Sequence, residues 1–300
     1  MKKLLIWLPG MLSMLAACTE AVEIPARAPE KQSPVRVELH LTTEQQAATR
    51  AMDENCIRDV NLYLYGDTEY HFYFPSVSSP LVFNVLPGNY RSYAIANAGQ
   101  DLGDKNAFKI QFYETAVDVM ESSDAIPMTD RGTLAVDGAG RCTPSSLRVT
   151  RSAAKIAYTI EVADAVAPSL RLRSVQFCNL PLTIRPFDSG SISSTVEANY
   201  YDGEAMPVGN ERRTAGTAYL FENLQGSVDT ITDQKDKCPE NAPACATYLR
   251  ILAERSADKA LVEYIVYPGE NNTSDFNVRR NTWHNLELVI RGENEIDNRV

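Results

Sequence analysis

The sequence predicts an all-β protein. Apolar and polar residues alternate with a period of two along much of the chain after residue 34, which is typical of half-buried strands. The predicted strands are short and separated by turn residues. Helical patterns are scarce and do not alternate with the strands, so β-sandwiches are favoured over barrels or doubly wound sheets.

The first predicted strand covers residues 35–42. Its apolar residues share one face: Val35, Val37, Leu39 and Leu41. Its polar residues share the other face: Arg36, Glu38 and His40. This alternation predicts a strand with one face in a core. Residues 43–55 lack a sustained apolar face and predict an exposed loop.

The same patterns predict the remaining strands in chain order. Pro87 and Gly88 supply the turn of a hairpin. Residues 107–120 fit both a strand and a short helix, so their structure stays open. The predicted strands are residues 57–65, 69–74, 81–86, 89–97, 132–136, 147–163, 170–184, 193–198, 218–221, 246–253, 261–267 and 285–291.

The N-terminus has the parts of a bacterial signal peptide. Lys2 and Lys3 precede an apolar run over residues 4–15. This run is shorter than the roughly 20 apolar residues of a membrane-spanning helix, and it ends in the small residues that a signal peptidase prefers. We therefore predict that residues 1–17 are removed on export.

A lipid-attachment motif closes this segment. Leu15, Ala16, Ala17 and Cys18 resemble the lipobox of bacterial lipoproteins, in which the cysteine receives diacylglycerol before cleavage. The alternative is an ordinary signal peptide followed by a chance cysteine. Residues 18–34 contain three prolines among Ala, Glu and Lys, which predicts an extended, lipidated tether. The motif implies a lipoprotein of the outer membrane.

The chain beyond the tether exceeds the usual size of one domain, so two domains are expected. Residues 164–169 interrupt the strand pattern. We therefore predict an N-terminal domain over residues 35–165 and a C-terminal domain over residues 166–300.

Charge and cysteine content restrict the partners. The formal charge of −10 becomes −12 when Lys2 and Lys3 leave with the signal peptide, which argues against nucleic acid as a partner.

Five cysteines remain besides Cys18, so one thiol should stay free. Cys238 and Cys245 form the best candidate disulfide. Neither belongs to a CxxC motif and no histidine is near in sequence, so we expect no metal site. The pairing of the others stays open: Cys56, Cys142 and Cys178.

Several segments in order resemble one known family. In the N-terminal half these are "IRDVNLYLYG" from Ile57, "VLPGNYRSYAIANAG" from Val85, "AIPMTD" from Ala125 and "LRVTRSAAKIAYTIEV" from Leu147. In the C-terminal half they are "AYLFENLQG" from Ala218, "NAPACATYLRILAE" from Asn241 and "SDFNVRRNTWHNLELVIRGENEIDNRV" from Ser274. The sequence is similar to the fimbrillins of Bacteroides-type type V fimbriae, including their anchor and tip relatives. The resemblance implies two transthyretin-like Greek-key β-sandwich domains in tandem.

The resemblance also implies a structural role in a fimbrium at the cell surface, with other fimbrial subunits as partners, a contribution to cell adhesion and no cofactor. Such subunits assemble by donor-strand exchange, in which an arginine-specific protease removes the first strand. Here the resemblance makes residues 35–42 the candidate strand, with cleavage expected between Arg50 and Ala51. Arg58 is a poorer candidate because it lies at the start of a predicted strand. The alternative, seen in anchor members, is a permanent first strand.

The C-terminal tail bears on the position in the fimbria. It is short and carries Glu293, Glu295 and Asp297, which would sit badly in an apolar groove. This composition favours an anchor or tip subunit over a stalk subunit. A surface ligand on a host or another bacterium is compatible with either role.

The enzyme alternative has little support. His40 and His71 are predicted to face solvent, and His284 is predicted to pack at a strand edge. No nucleophile elbow, zinc-protease motif, phosphate-binding loop or dinucleotide fingerprint occurs, so we expect no catalytic residues.

The tyrosines suggest a different class of function, a monomeric surface lipoprotein that binds glycans. Packing in a sandwich core is the preferred interpretation of these residues. They are Tyr63, Tyr65, Tyr70, Tyr73, Tyr200 and Tyr201.

Overall fold

Strands account for most of the regular structure in the computed structural model, which describes residues 32–43, 55–103, 113–114, 126–184, 186–187, 190, 193–209, 211–293 and 295–299. The chain divides into two units, and the described structure belongs almost entirely to the second, Ser33–Val300. The all-β prediction is confirmed. The described helices are the two 3-10 turns Glu197–Asn199 and Gln234–Asp236. Within the described ranges, no helix is long and apolar enough to span a membrane.

The strands follow one another in this order: β1 Val35–Thr43, β2 Val60–Tyr65, β3 Glu69–Phe74, β4 Leu81–Val85, β5 Gly88–Ala96, β6 Tyr113–Glu114, β7 Met128–Val136, β8 Cys142–Thr143, β9 Ser146–Arg151, β10 Ala153–Val162 and β11 Leu170–Cys178. They continue with β12 Leu180–Pro181, β13 Thr183–Ile184, β14 Tyr200–Tyr201, β15 Met206–Pro207, β16 Arg213–Phe221, β17 Asn223–Ser227, β18 Tyr248–Arg255, β19 Leu261–Val266, β20 Asp275–Val278, β21 Trp283–Gly292 and β22 Glu295–Arg299.

The first half of the described chain forms an eight-stranded sheet. Seven of its strands follow the order β3-β2-β5-β7-β9-β1-β4, and the eighth, β8, pairs with β7. The pairing of β1 with β9 is parallel, whereas the other pairings in this order are antiparallel. The alternating residues of these strands bury one hydrophobic cluster, which includes Val37, Leu62, Phe83 and Leu134.

The second half contains two four-stranded sheets. One has the order β16-β10-β21-β22 and the other β15-β11-β18-β19. Their inward residues form a second large cluster, which includes Ile156, Phe177, Ile251 and Leu288. Shorter pairings join β12 with β14, β13 with β6, and β17 with β20.

The structure divides two predicted strands. Residues 147–163 form β9 and β10 in different sheets, separated at Ser152, whose amide donates to the Pro127 carbonyl at 2.8 Å. Residues 170–184 form the strands β11, β12 and β13, and Asn179, in a left-handed conformation with φ 54°, separates β11 from β12.

A third prediction is wrong. Residues 193–198 form no strand, and the chain enters the 3-10 turn at Glu197. The Ser194 hydroxyl accepts the Val196 amide at 3.1 Å, which is a local alternative to strand pairing. Of residues 107–120, only the short strand β6 lies among the described residues.

The division at residue 165 stays a prediction. The change from one hydrophobic cluster to the other occurs earlier along the strands, because β9 contributes to the first cluster and β10 to the second. The strand preceding the predicted boundary therefore packs with the strands that follow it.

Buried polar contacts connect the strands of the two halves. The Pro186 carbonyl accepts the Thr129 hydroxyl at 2.8 Å and an Arg280 guanidinium nitrogen at 2.9 Å. Arg280 also pairs with Glu222 at 2.9 Å, and each side chain is only 9% exposed. Removing one partner of such a pair leaves a buried charge without its counter-ion.

We predict that Glu222→Ala lowers the free energy of unfolding by about 3–5 kcal/mol, because the Arg280 charge would stay buried. Urea denaturation of the variant and of the wild-type chain measures the difference. The control is Glu161→Ala, since Glu161 faces Arg212 at 3.6 Å across an exposed pair, for which about 1 kcal/mol or less is expected. Equal losses in the two variants would contradict this account.

Candidate functional site

Strand β1 lies between β4 and β9 in the strand order of the N-terminal sheet, and it pairs with a different neighbour along each half of its length. Residues 35–39 pair antiparallel with β4, with Val37 opposite Phe83 and Leu39 opposite Leu81. Residues 40–43 pair parallel with β9, with Leu41 opposite Leu147. Strand β1 therefore supplies backbone hydrogen bonds to both β4 and β9, which do not pair with each other in the sheet.

The side chains of β1 separate into a buried and an exposed face. Val37 and Leu39 are fully buried, and Val35 and Leu41 pack against the same cluster while partly buried. The polar residues of the opposite face are exposed: Arg36, Glu38 and His40. The strand thus contributes an apolar edge to the N-terminal core and a charged face to solvent.

A glycine turn approaches the backbone of β1 where β9 does not reach it. Gly140 has φ +79°, and a Cβ atom built there would overlap the Arg36 carbonyl oxygen. The Cys142 thiol donates to the Glu38 carbonyl at 3.4 Å. Burial raises the pKa of this thiol, so it stays protonated and able to donate.

The shape of this turn is held by its own hydrogen bonds. The Asp137 carboxylate accepts the amides of Ala139 and Arg141, each at 2.9 Å. The Arg141 guanidinium adds a contact at 2.8 Å. These bonds, with the Arg141 amide as the largest cause, hold the pKa of Asp137 below its ordinary value.

We call the surface that β1 occupies the β1 groove. It is bounded by the facing edges of β4 and β9 and by the turn at residues 137–142. Removing β1 would leave the backbone groups on those edges without partners and would uncover core side chains. A segment of alternating apolar residues could replace it by β-augmentation. The core side chains beside β1 are Leu81, Phe83, Val85, Leu147 and Val149.

Three of the residues singled out from sequence lie outside the described residues. Cys18, Arg50 and Ala51 belong to the segments 1–31 and 44–54. Lipidation and cleavage at these positions therefore stay predictions.

The disulfide predicted between Cys238 and Cys245 is absent from the structure, where both are free thiols. Cys245 is buried, and its carbonyl accepts the Asn223 amide group at 2.8 Å. The Cys238 sulfur accepts the Asn241 amide group at 3.6 Å. Each thiol thus has its own surroundings, and burial raises the pKa of both. Cys56, Cys142 and Cys178 are also free.

The three histidines occupy different surroundings. His40 is exposed as predicted, but His71 is not, because its ring stacks on Tyr63 at 4.4 Å and its Nε2 atom donates to Asn61 at 3.0 Å. His284 is buried, with its ring nitrogens 3.1 Å from the Gly269 carbonyl and 3.0 Å from the Thr282 hydroxyl. Burial lowers the pKa of His284.

Three of the tyrosines proposed from sequence as core residues pack in or against hydrophobic clusters. Tyr63 and Tyr65 are buried in a cluster with Tyr93 and Leu102, and Tyr70 packs against the N-terminal core. These rings are therefore committed to the fold rather than presented to solvent.

Sequence reasoning missed Gly140 and Cys142 as contacts of β1. The Asp-Gly-Ala-Gly run at residues 137–140 indicates a turn. Nothing in that run indicates which distant strand the turn approaches, because the contact joins residues separated by about a hundred positions along the chain.

Comparison with known proteins adds a family match over part of the chain. A family described as a domain of unknown function, DUF4906, matches residues 218–288. This segment runs from β16 into β21. No curated protein matches the chain.

Solved structures resemble the chain over most of its length. The tip fimbrial protein Mfa3 from Porphyromonas gingivalis, solved with a C-terminal truncation, shares 13% identity with a TM-score of 0.54, covering 89% of this chain and 98% of that one. A candidate cell adhesion protein from Bacteroides eggerthii shares 12% identity with a TM-score of 0.56, covering 88% of each chain. Another from Parabacteroides distasonis shares 10% identity with a TM-score of 0.59, covering 89% and 98%. The resemblance to fimbrillins is thus confirmed at the level of the fold.

We predict that Leu39→Ala lowers the free energy of unfolding by about 2–5 kcal/mol, because it leaves a cavity in the N-terminal core. The matched control is Leu261→Ala, since Leu261 is 64% exposed and its loss should cost less than about 1 kcal/mol. Guanidinium denaturation of both variants tests the difference. A Leu39→Ala variant as stable as the control would show that β1 is not part of the core.

Proposed function

We propose that this chain is a structural subunit of a cell-surface fimbria of the type V kind, without catalytic activity. The observation that carries the proposal is the placement of β1, whose apolar face fills a groove bounded by two strand edges. A groove of this kind fits a strand supplied by another subunit. The fold shared with a tip fimbrial protein and with candidate adhesion proteins supports the same role.

Assembly would proceed by strand complementation. Cleavage between Arg50 and Ala51 would release residues 35–43 from the following chain, and departure of β1 would open the β1 groove. A donor strand with the same alternation would restore both the hydrogen bonds and the apolar burial. The partners in this scheme are other fimbrial subunits.

Before any cleavage after Arg50, the N-terminal region would attach the precursor to the outer membrane. Removal of residues 1–17 would leave Cys18 as the lipid-bearing residue, and residues 18–34 would act as the tether. The net charge of −10, which becomes −12 without Lys2 and Lys3, is unfavourable for nucleic acid and compatible with a protein exposed at the cell surface.

The packing of strand β22 within its own sheet favours a tip or anchor position, in which this strand is not donated. Strand β22 pairs with β21, and its Ile296 packs against the C-terminal core. Asp297 pairs with Arg291 at 3.1 Å. A strand of this composition suits its own sheet edge better than an apolar groove in another subunit.

We predict that Arg50→Ala prevents both processing and incorporation into fibres, because the protease would lose its cleavage site. The measurement is N-terminal sequencing of the protein from sheared surface fibres and, separately, from membranes of the same cells. The wild-type chain should begin at Ala51 in the fibres. Arg58→Ala is the control and should leave processing unchanged.

The absence of a chain that begins at Ala51 would indicate a different role for the protein. A blocked, lipidated Cys18 found only in membranes, with no detergent-resistant polymer, would indicate an uncleaved anchor or a monomeric glycan-binding lipoprotein. In that case Arg50→Ala would have no effect on the distribution of the protein.

We predict that Cys18→Ser abolishes incorporation of radiolabelled palmitate, because the acylated residue would be missing. Immunoprecipitation after metabolic labelling measures the incorporation. Cys56→Ser should retain the label, since Cys56 lies far beyond the lipobox. Label retained in Cys18→Ser would contradict lipidation at this residue.

A further inference from the structure

The outer face of the sheet formed by β16, β10 and β21 carries an aromatic pair with a lysine between its members. The strand registers place Tyr219 opposite Lys155 and Lys155 opposite Trp283. Paired residues of neighbouring strands point to the same face of a sheet. The three side chains therefore form one row across three strands, in which Trp283 is exposed and Tyr219, on the edge strand β16, is half-buried and also packs against the C-terminal core.

The row combines ring surface with a positive charge. The Lys155 ammonium lies 5.4 Å from the Trp283 ring centroid and 5.9 Å from the Tyr219 ring centroid. These distances are those of cation–π contacts. The rings are two strand spacings apart, roughly 10 Å. Trp283 is 46% exposed, so much of its surface is open to solvent.

The neighbouring row on the same face has small side chains. Thr217, Ala157 and Asn285 lie side by side, two residues along each strand from the aromatic row. Thr217 and Asn285 are exposed and offer a hydroxyl and an amide, with the short Ala157 between them. β22 pairs with β21 only at residues 287–292, so it does not cover this end. The two rows form a shallow shelf with aromatic rings along one side.

This combination matches one class of ligand. A sugar ring has an apolar C–H face that can stack on an aromatic side chain, and hydroxyls that can bond to an amide and a hydroxyl. Lys155 is the one charged residue of the two rows, and a carboxylate would complement its charge.

We propose that this shelf binds oligosaccharides that carry a carboxylate, with the sugar stacked on Trp283 and its carboxylate at Lys155. Asn285 and Thr217 bond to the sugar hydroxyls. The proposal does not depend on strand complementation, because every residue of the shelf lies in the C-terminal sheets. It gives the protein a ligand-binding activity in addition to its structural role.

The sequence supplies a selective probe for this site. The chain has two tryptophans, Trp7 and Trp283, and Trp7 lies in the predicted signal peptide. In a recombinant chain that begins at Thr19, just after the predicted lipid-bearing Cys18, the tryptophan fluorescence therefore reports on Trp283 alone. The experiment titrates this protein with sialyllactose, with tetragalacturonate and with neutral lactose, and records the intensity and wavelength of emission.

We expect saturable changes in emission with at least one of the two acidic sugars and affinity for lactose lower by about tenfold or more, the difference expected for a charge-assisted contact. Lys155→Gln should weaken acidic-sugar binding by a similar factor and leave lactose unaffected. Asn285→Ala should weaken all binding several-fold. Lys235→Gln is the matched control, because Lys235 is exposed and lies outside these strands.

Several results would overturn the proposal. These are no response to either acidic sugar, equal affinity for lactose, or an equal loss in the Lys155 and Lys235 variants. A Trp283 emission that shifts with protein concentration without sugar, together with a dimer in sedimentation, would make a second copy the occupant. Thermal unfolding of each variant separates lost binding from misfolding, and the Asn285 variant provides the test if Lys155→Gln does not fold.

Discussion

The N-terminal half depends on the double pairing of β1. One half of the strand bonds to β4 and the other half to β9, so a single segment satisfies backbone groups at two facing edges. Val37 and Leu39 are fully buried in the same place. An unpaired edge attracts other strands and an uncovered core attracts apolar surface, so these requirements must be met by β1 or by a replacement. The stability of this half and its capacity for assembly thus have the same physical origin.

The two halves protect their strand edges from unwanted pairing in different ways. In the N-terminal half, β1 lies between β4 and β9 and its loss would expose two edges. In the C-terminal half, β22 lies at the end of its sheet and carries charged residues, a composition that discourages further pairing. The Pro186 carbonyl joins the two halves, since it accepts the Thr129 hydroxyl from β7 and the Arg280 guanidinium, which pairs with Glu222 inside the C-terminal half. Because the described strands of the two four-stranded C-terminal sheets pair only with one another, opening of the β1 groove need not disturb the C-terminal core.

The alternation of residues 35–42 could be recognised from sequence because a period of two leaves a direct pattern in the chain. The period-two pattern predicts most of the other strands as well, but it does not separate β9 from β10, because only Thr150, Arg151 and Ser152 lie between the apolar residues of the two strands. Contacts between distant residues leave no such pattern. Gly140 against Arg36 and His71 against Tyr63 arise only when the sheets form. Trp283 was recognised within a family segment, but its exposure depends on the strand register, which sequence does not reveal.

The central claim is that β1 can be replaced within its groove, and hydrogen exchange tests it most directly. The measurement compares amide protection in β4 and β9 for the intact chain, for a chain that begins at Ala51, and for the latter mixed with a peptide of residues 35–43. The account predicts that protection of Leu81–Val85 and Ser146–Arg151 is lost on truncation and recovered with the peptide, while β10 and β21 stay protected. Unchanged protection of β4 and β9 after truncation, or no recovery with the peptide, would contradict it.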